Sequence, residues 1–108
     1  MNLKSDRPPV HEALQRLDQE IAFARREKHV LLKVIHGYGS TGAGGDIRIA
    51  VQRRLQELAE AGQIRRCIFG ESWSKADPDT WRLLQAQGEL KSDPDLGRNN
   101  LGITIVVL

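Results

Sequence analysis

The residues best suited to chemistry gather at the end of one apolar run. His36 is followed by Gly37-Tyr38-Gly39-Ser40-Thr41-Gly42-Ala43-Gly44-Gly45, nine residues that hold five of the ten glycines. Glycine at that density marks backbone that turns or approaches something closely. Three readings are open. Gly37-Tyr38-Gly39-Ser40-Thr41-Gly42 fits the G-x-G-x-x-G dinucleotide fingerprint, and Glu71 follows the next strand, where a ribose-binding acid would sit. Against that reading, the chain lacks a second mononucleotide half. The loop equally fits a plain spacer between a strand and a helix. In the third reading it binds an anion: free amides at the helix start, with Arg48 in the first turn, would hold a phosphate. A phosphate loop is excluded, because no Lys-Ser/Thr pair follows the glycines. His36 is then a proton carrier, a phosphate contact, or the hydrogen bond that holds the loop.

The elements around that loop follow from patterning. Residues 2–5 read as a short strand with Leu3 facing in. Val10, Ala13, Leu14, Leu17, Ile21 and Ala24 form one apolar stripe at offsets of three and four, which predicts a helix. Asp6 would cap it, and Pro8 and Pro9 suit its first turn. Val30 to Ile35 is short and β-branched and reads as a buried strand. Asp46 would cap the next helix, with Ile47, Ala50, Val51, Leu55 and Leu58 on its buried face and Gly62 as its stop. Ile64 to Phe69 reads as a strand with Cys67 as a small filler. Asp77-Pro78 opens a short helix that Gly88 ends. Residues 89–100 are polar turn formers, and Gly102 to Leu108 is a last, β-branched strand. Alternation of strand and helix predicts parallel neighbours and an α/β two-layer sandwich with both long helices on one face. The small helix, or a partner, would cover the other face.

Charge is unevenly spread. The net charge is only +2, but residues 25–66 hold 9 basic and 4 acidic groups, while the flanking segments are net negative. An anion would be drawn to that middle third, to Arg48 and Lys33 among others. Aromatic residues are 5% of the chain, which leaves little surface for stacking bases. A chain of 108 residues fits one domain. No apolar run approaches a membrane span, the first six residues carry no secretory signal, and the single Cys67 cannot form an internal disulfide. The expectation is a soluble cytoplasmic protein. His11 and His29 belong to a helix surface and a helix end. Asp77-Pro78-Asp79 and Asp93-Pro94-Asp95 read as a helix start and a turn, and no His or Cys pair stands at ligand spacing, so neither a metal nor another cofactor is expected. Trp73 and Trp81 would pin residues 71–99 onto the sheet.

Ile35-His36-Gly37-Tyr38-Gly39 resembles the H-G-x-G signature of the Smr (small MutS-related) domain family. Val10-His11-Glu12-Ala13-Leu14-Gln15-Arg16-Leu17-Asp18 is similar to that family's V-x-E-A-L-x-x-L-D first helix. Ile47-Arg48 with Val51 resembles its L-R-x-x-V, and Gly102-Ile103-Thr104-Ile105-Val106 its closing G-V-T-I-V strand. The resemblance spans nearly the whole chain, apart from an insertion at about residues 71–99, and is nearest to the stand-alone Smr proteins. It implies a β-α-β-α-β-β sandwich similar to the C-terminal domain of a bacterial translation initiation factor. Its mixed four-stranded sheet has the last strand antiparallel and internal. It also implies nucleic-acid binding, RNA or DNA. Some family members nick DNA and others cut messenger RNA on stalled ribosomes, so DNA repair and ribosome quality control are the implied settings.

One departure falls where the family's first strand carries L-D-x-H, to which cleavage is tied. Here that stretch is Leu3-Lys4-Ser5-Asp6, with lysine in place of the acid and aspartate in place of the histidine. Phosphodiester hydrolysis needs a proton acceptor, a proton donor and a cation. Lys4 would supply the cation, Asp6 a proton acceptor and His36 the proton transfer. The leading expectation is a backbone-binding module in which Lys33, His36, Gly37, Tyr38, Gly39, Ser40, Thr41, Gly42 and Arg48 contact phosphate, selective for shape and strand state. The alternatives are an endonuclease using His36, Lys4 and Asp6, and an interaction module that docks on ribosomal or repair proteins through the insertion.

Overall fold

The computed structural model describes residues 1–38 and 43–108. Helix α1 (Val10–Arg26) buries Ala13, Leu17, Ile21 and Ala24, the predicted stripe. Its N-cap is Pro9, which makes no side-chain cap bond. Asp6 is therefore not the cap: it stands three residues too early and instead pairs with Arg16 at 2.8 Å. Arg25 and Arg26 lie in the last turn, at the negative end of the helix dipole. Lys28 then turns the chain with φ +59.

Strands β1 (Leu31–Ile35), β2 (Arg66–Phe69) and β3 (Ile103–Val107) form one sheet in the order β1-β3-β2. β3 runs antiparallel to both neighbours. Leu31 faces Val107 and Ile35 faces Ile103 on one side; Arg66 faces Val107 and Phe69 faces Thr104 on the other. The parallel neighbours expected from strand–helix alternation are thus separated by an intruding strand. β3 is the most continuously apolar of the three, and four of its five residues are buried. The centre of the sheet, covered on both faces, is the place that buries such a strand best.

The expected first strand, residues 2–5, is reduced to a single parallel bridge between Asn2 and Ile35, so the sheet has three strands and not four. The segment still closes the outer edge of β1. Met1 N donates to Lys33 O at 3.0 Å, Ile35 N to Met1 O at 2.9 Å, and Leu3 N to Ile35 O at 2.7 Å. Leu3 points into the core, as its position predicts. Beyond it Asn2 Oδ1 accepts from the amides of Lys4 and Ser5, which turns the chain out of strand geometry.

Alternation along the strands divides the interior in two. Val34 and Val106 face α1 and α2 (Ala43–Glu60), where they pack with Leu17, Ile47, Val51 and Leu55. Ile35, Ile68, Ile103 and Ile105 face the other way, onto Trp73 and Leu84. Residues 70–100 form that second cover. They comprise 3₁₀ turns at Gly70–Ser72 and Gly88–Ser92 and helix α3 (Pro78–Ala86). Asp77 caps α3 by accepting from Thr80 N at 3.0 Å, as the Asp-Pro pair predicts. Trp73 is fully buried and donates from Nε1 to Asp93 Oδ2 at 3.0 Å, so it does pin the insertion, whereas Trp81 is half exposed and does not. Among the described residues no helix is long and apolar enough to cross a membrane.

Candidate functional site

His36 follows β1 directly and continues its alternation, so its ring points to the α2 side of the sheet, in register with Val34. It is 1% exposed. Nδ1 lies 2.9 Å from Gly37 O and Nε2 3.0 Å from Thr104 Oγ1. A carbonyl can only accept, so Nδ1 carries the proton. Nε2 of the neutral ring is then the acceptor for the Thr104 hydroxyl. Burial pushes the His36 pKa below the ordinary histidine value, and the positive charge of Arg48 pushes the same way. The Gly37 carbonyl, and more weakly the Glu71 carboxylate, pull it back up without overcoming burial. His36 is therefore neutral near pH 7, with both nitrogens engaged. In this geometry it holds the start of the glycine loop, one of the three roles its position in the sequence allowed.

Two residues that the loop pattern did not flag complete this anchor. Gly102 O accepts from His36 N at 3.0 Å and from Gly37 N at 3.1 Å. Gly37 has φ +89, a conformation that glycine adopts without penalty. A methyl group on Gly102 would lie 3.2 Å from both Gly37 C and Tyr38 N, so the two backbones touch. The close approach expected of the glycines is realised at Gly37 and Gly102. The signal for Thr104 was present too, as a lone hydroxyl inside an apolar strand.

Around this anchor stand three of the expected site residues, Lys4 from the catalytic set and Tyr38 and Arg48 from the binding set. Lys4 lays its stem over Gly37, its Cγ 3.5 Å from where a Gly37 side chain would begin. Tyr38 is exposed. Arg48, one turn into α2, has its Nε buried with no hydrogen-bond partner among the described residues. Gln52 Nε2, four residues on and on the same helical face, is in the same state. Asp46 is not the cap of α2: the helix begins at Ala43, which places Asp46 inside its first turn. Gly39, Ser40, Thr41 and Gly42 lie outside the described residues.

Two expected site residues are elsewhere. Lys33 shares the Ile35 face of β1, opposite His36. Its ammonium is held by Asp95 and, at 3.1 Å, by Asp93. Burial opposes its charge, but the hydrogen bonds it donates to Asp95 and Asp93 outweigh that, and Lys33 keeps its proton above the usual lysine range. Its ammonium contacts the insertion. The Asp93-Pro94-Asp95 turn is thus the clamp on Lys33, and Asn100 steadies it through Asp95 Oδ1 at 2.8 Å. Asp6 is the second. The Arg16 hydrogen bond holds its carboxyl below the usual range, which makes it a poor proton acceptor. Of the three residues expected for cleavage, Asp6 is thus engaged by Arg16 of α1, while Lys4 lies over Gly37, next to His36.

The basic middle third is also partly spent within the fold. Arg54 pairs with Asp18 at 2.9 Å, and Arg66 with Asp79. Among the described residues no cluster of three His, Cys, Asp or Glu side chains is placed to hold a metal ion. No family model, curated protein or solved structure matches this chain.

The neutrality of His36 has a measurable consequence. Its folded pKa is depressed, so below the ordinary value the unfolded chain binds its proton more readily. The stability this group confers is complete above about pH 6.5 and is lost as the pH falls towards the folded pKa. Thermal melts should therefore show a falling Tm between about pH 7 and about pH 5, and His36→Gln should flatten that slope. An unchanged slope in the variant would show that another group titrates. Asp6 and Asp95, whose pKa values are lowered from 3.8, lose their contributions only in a more acid window.

Proposed function

We propose that this protein is an Smr-type module that binds the phosphate backbone of a nucleic acid where the end of β1 meets the start of α2. In this reading the four-stranded Smr sandwich survives with its first strand shortened to the Asn2–Ile35 bridge. The observation that carries the proposal is the pair of buried donors on α2, Arg48 Nε and Gln52 Nε2, which find no acceptor among the described residues. A buried donor left unpaired costs about 1–3 kcal/mol, and a phosphate oxygen would relieve that cost. Lys4 stands across Gly37 and adds a mobile positive charge. His36 serves this site as a positioning residue, so the reading is one of binding without cleavage by that histidine.

Fluorescence anisotropy with labelled RNA and DNA oligonucleotides tests it. Affinity should fall between about 50 mM and about 200 mM salt, because each phosphate contact releases counterions. Arg48→Ala should weaken binding and reduce the salt slope by about 1. Absence of binding to both polymers at low salt would overturn the proposal.

A further inference from the structure

We infer that the preferred ligand is single-stranded and that one unpaired base stacks on Tyr38. The inference rests on the phosphate-binding reading above and adds strand state to it. Tyr38 is the only tyrosine of the chain, and it is 57% exposed although the core has few aromatic residues to draw on. The backbone that leads into it, by contrast, is held. Gly37 N and His36 N share Gly102 O, and the Gly37–Tyr38 peptide lies so close to Gly102 that a methyl there would come within 3.2 Å. A free ring on a rigid stalk forfeits little conformational entropy when a ligand covers it. The Lys4 stem covers Gly37, the residue before Tyr38, so a cation for the backbone and a π-face for a base are carried one residue apart at the same anchor.

Geometry decides which nucleic acid this suits. In a duplex both faces of each base are already stacked, and the phosphates lie outermost. A ring presented one residue from a backbone-binding cation reaches a base face only when that base is unpaired. Stacking on an aromatic side chain is tolerant of sequence, so preference should follow strand state more than base identity.

The experiment compares an unpaired oligonucleotide, the same sequence as a duplex, and an unpaired strand with abasic sites. Each is titrated with the native protein and with Tyr38→Ala, Tyr38→Phe and Arg48→Ala. The native protein should favour the unpaired strand. Tyr38→Ala should weaken that binding by about 5-fold to about 150-fold, leave the salt slope unchanged and erase the preference over duplex. Tyr38→Phe should retain it, and the abasic strand should bind the native protein as weakly as the intact strand binds Tyr38→Ala. Equal binding of strand and duplex, or no effect of Tyr38→Ala, overturns the stacking inference. If Arg48→Ala still weakens every ligand in that case, the phosphate reading stands alone. No binding of any ligand at low salt overturns both.

Discussion

Gly70→Ala should destabilise the protein by about 4 kcal/mol or more, enough to unfold most of a marginally stable chain. Gly70 leaves β2 at the point where the chain crosses beneath the segment leading into β3. A methyl group there would sit 1.7 Å from Asn100 O, 2.8 Å from Asn100 C and 3.0 Å from Ile103 O. All three are backbone atoms, so no side chain can rotate away to make room. Relief would require pulling Asn100 and Ile103 off the sheet. That would disturb the Asn100 side chain, which accepts from Gly102 N at 2.8 Å and steadies the backbone that anchors His36. Urea denaturation measures the effect, and Gly88→Ala is the control, since nothing lies within 4 Å of a methyl group there. A Gly70→Ala protein within about 1 kcal/mol of the native one would show that the crossing is looser than described.

The second large effect concerns the insertion. Trp73→Ala removes a side chain that is fully buried between the sheet and α3. Loss of its packing and the cavity left behind should cost about 3–5 kcal/mol. The indole also donates to Asp93, which with Asp95 holds Lys33, so the clamp on β1 loosens together with the core. Trp81→Ala is the contrast: that ring is 51% exposed, and its loss should fall within about 0.5 kcal/mol of native stability in the same denaturation series. Equal effects at the two tryptophans would contradict the assignment of Trp73 as the pin.

Local signals proved legible where the chain reports on itself. The stripe from Ala13 to Ala24 and the Asp77-Pro78 start of α3 depend on residues three or four apart, and both elements form where those residues predict. Strand order is not local. Nothing in Val30 to Ile35 or Ile64 to Phe69 tells that a strand from residues 103–107 will come between them. Pattern alone therefore favoured parallel neighbours, while the family resemblance implied an internal, antiparallel last strand, as in the structure. Lys33 was misread for the same reason. Its charge looked available to a phosphate, but its partners Asp93 and Asp95 lie some 60 residues away and reach it only when the insertion folds onto the sheet. Asp6 reads as a cap from its place before two prolines, but Arg16, nearly two turns into α1, captures it. At the site itself, His36 and the glycines stand out in the sequence, but the residues that hold His36 and Gly37, namely Gly102 and Thr104, come from the far end of the chain.

The central position of β3 also governs how the molecule comes into being. The contact between His36 and Thr104 spans 68 residues, and among the described residues β1 and β2 pair as strands with β3 alone, apart from the Asn2–Ile35 bridge. A growing chain that has been synthesised only as far as Gly102 holds helices α1, α2 and α3 and two strands that lack the partner between them. The loop anchor, the sheet and the second cover must then assemble in one late, cooperative event. Long-range closure of this kind is slow, and it leaves unpaired strands open to chaperones until it is complete.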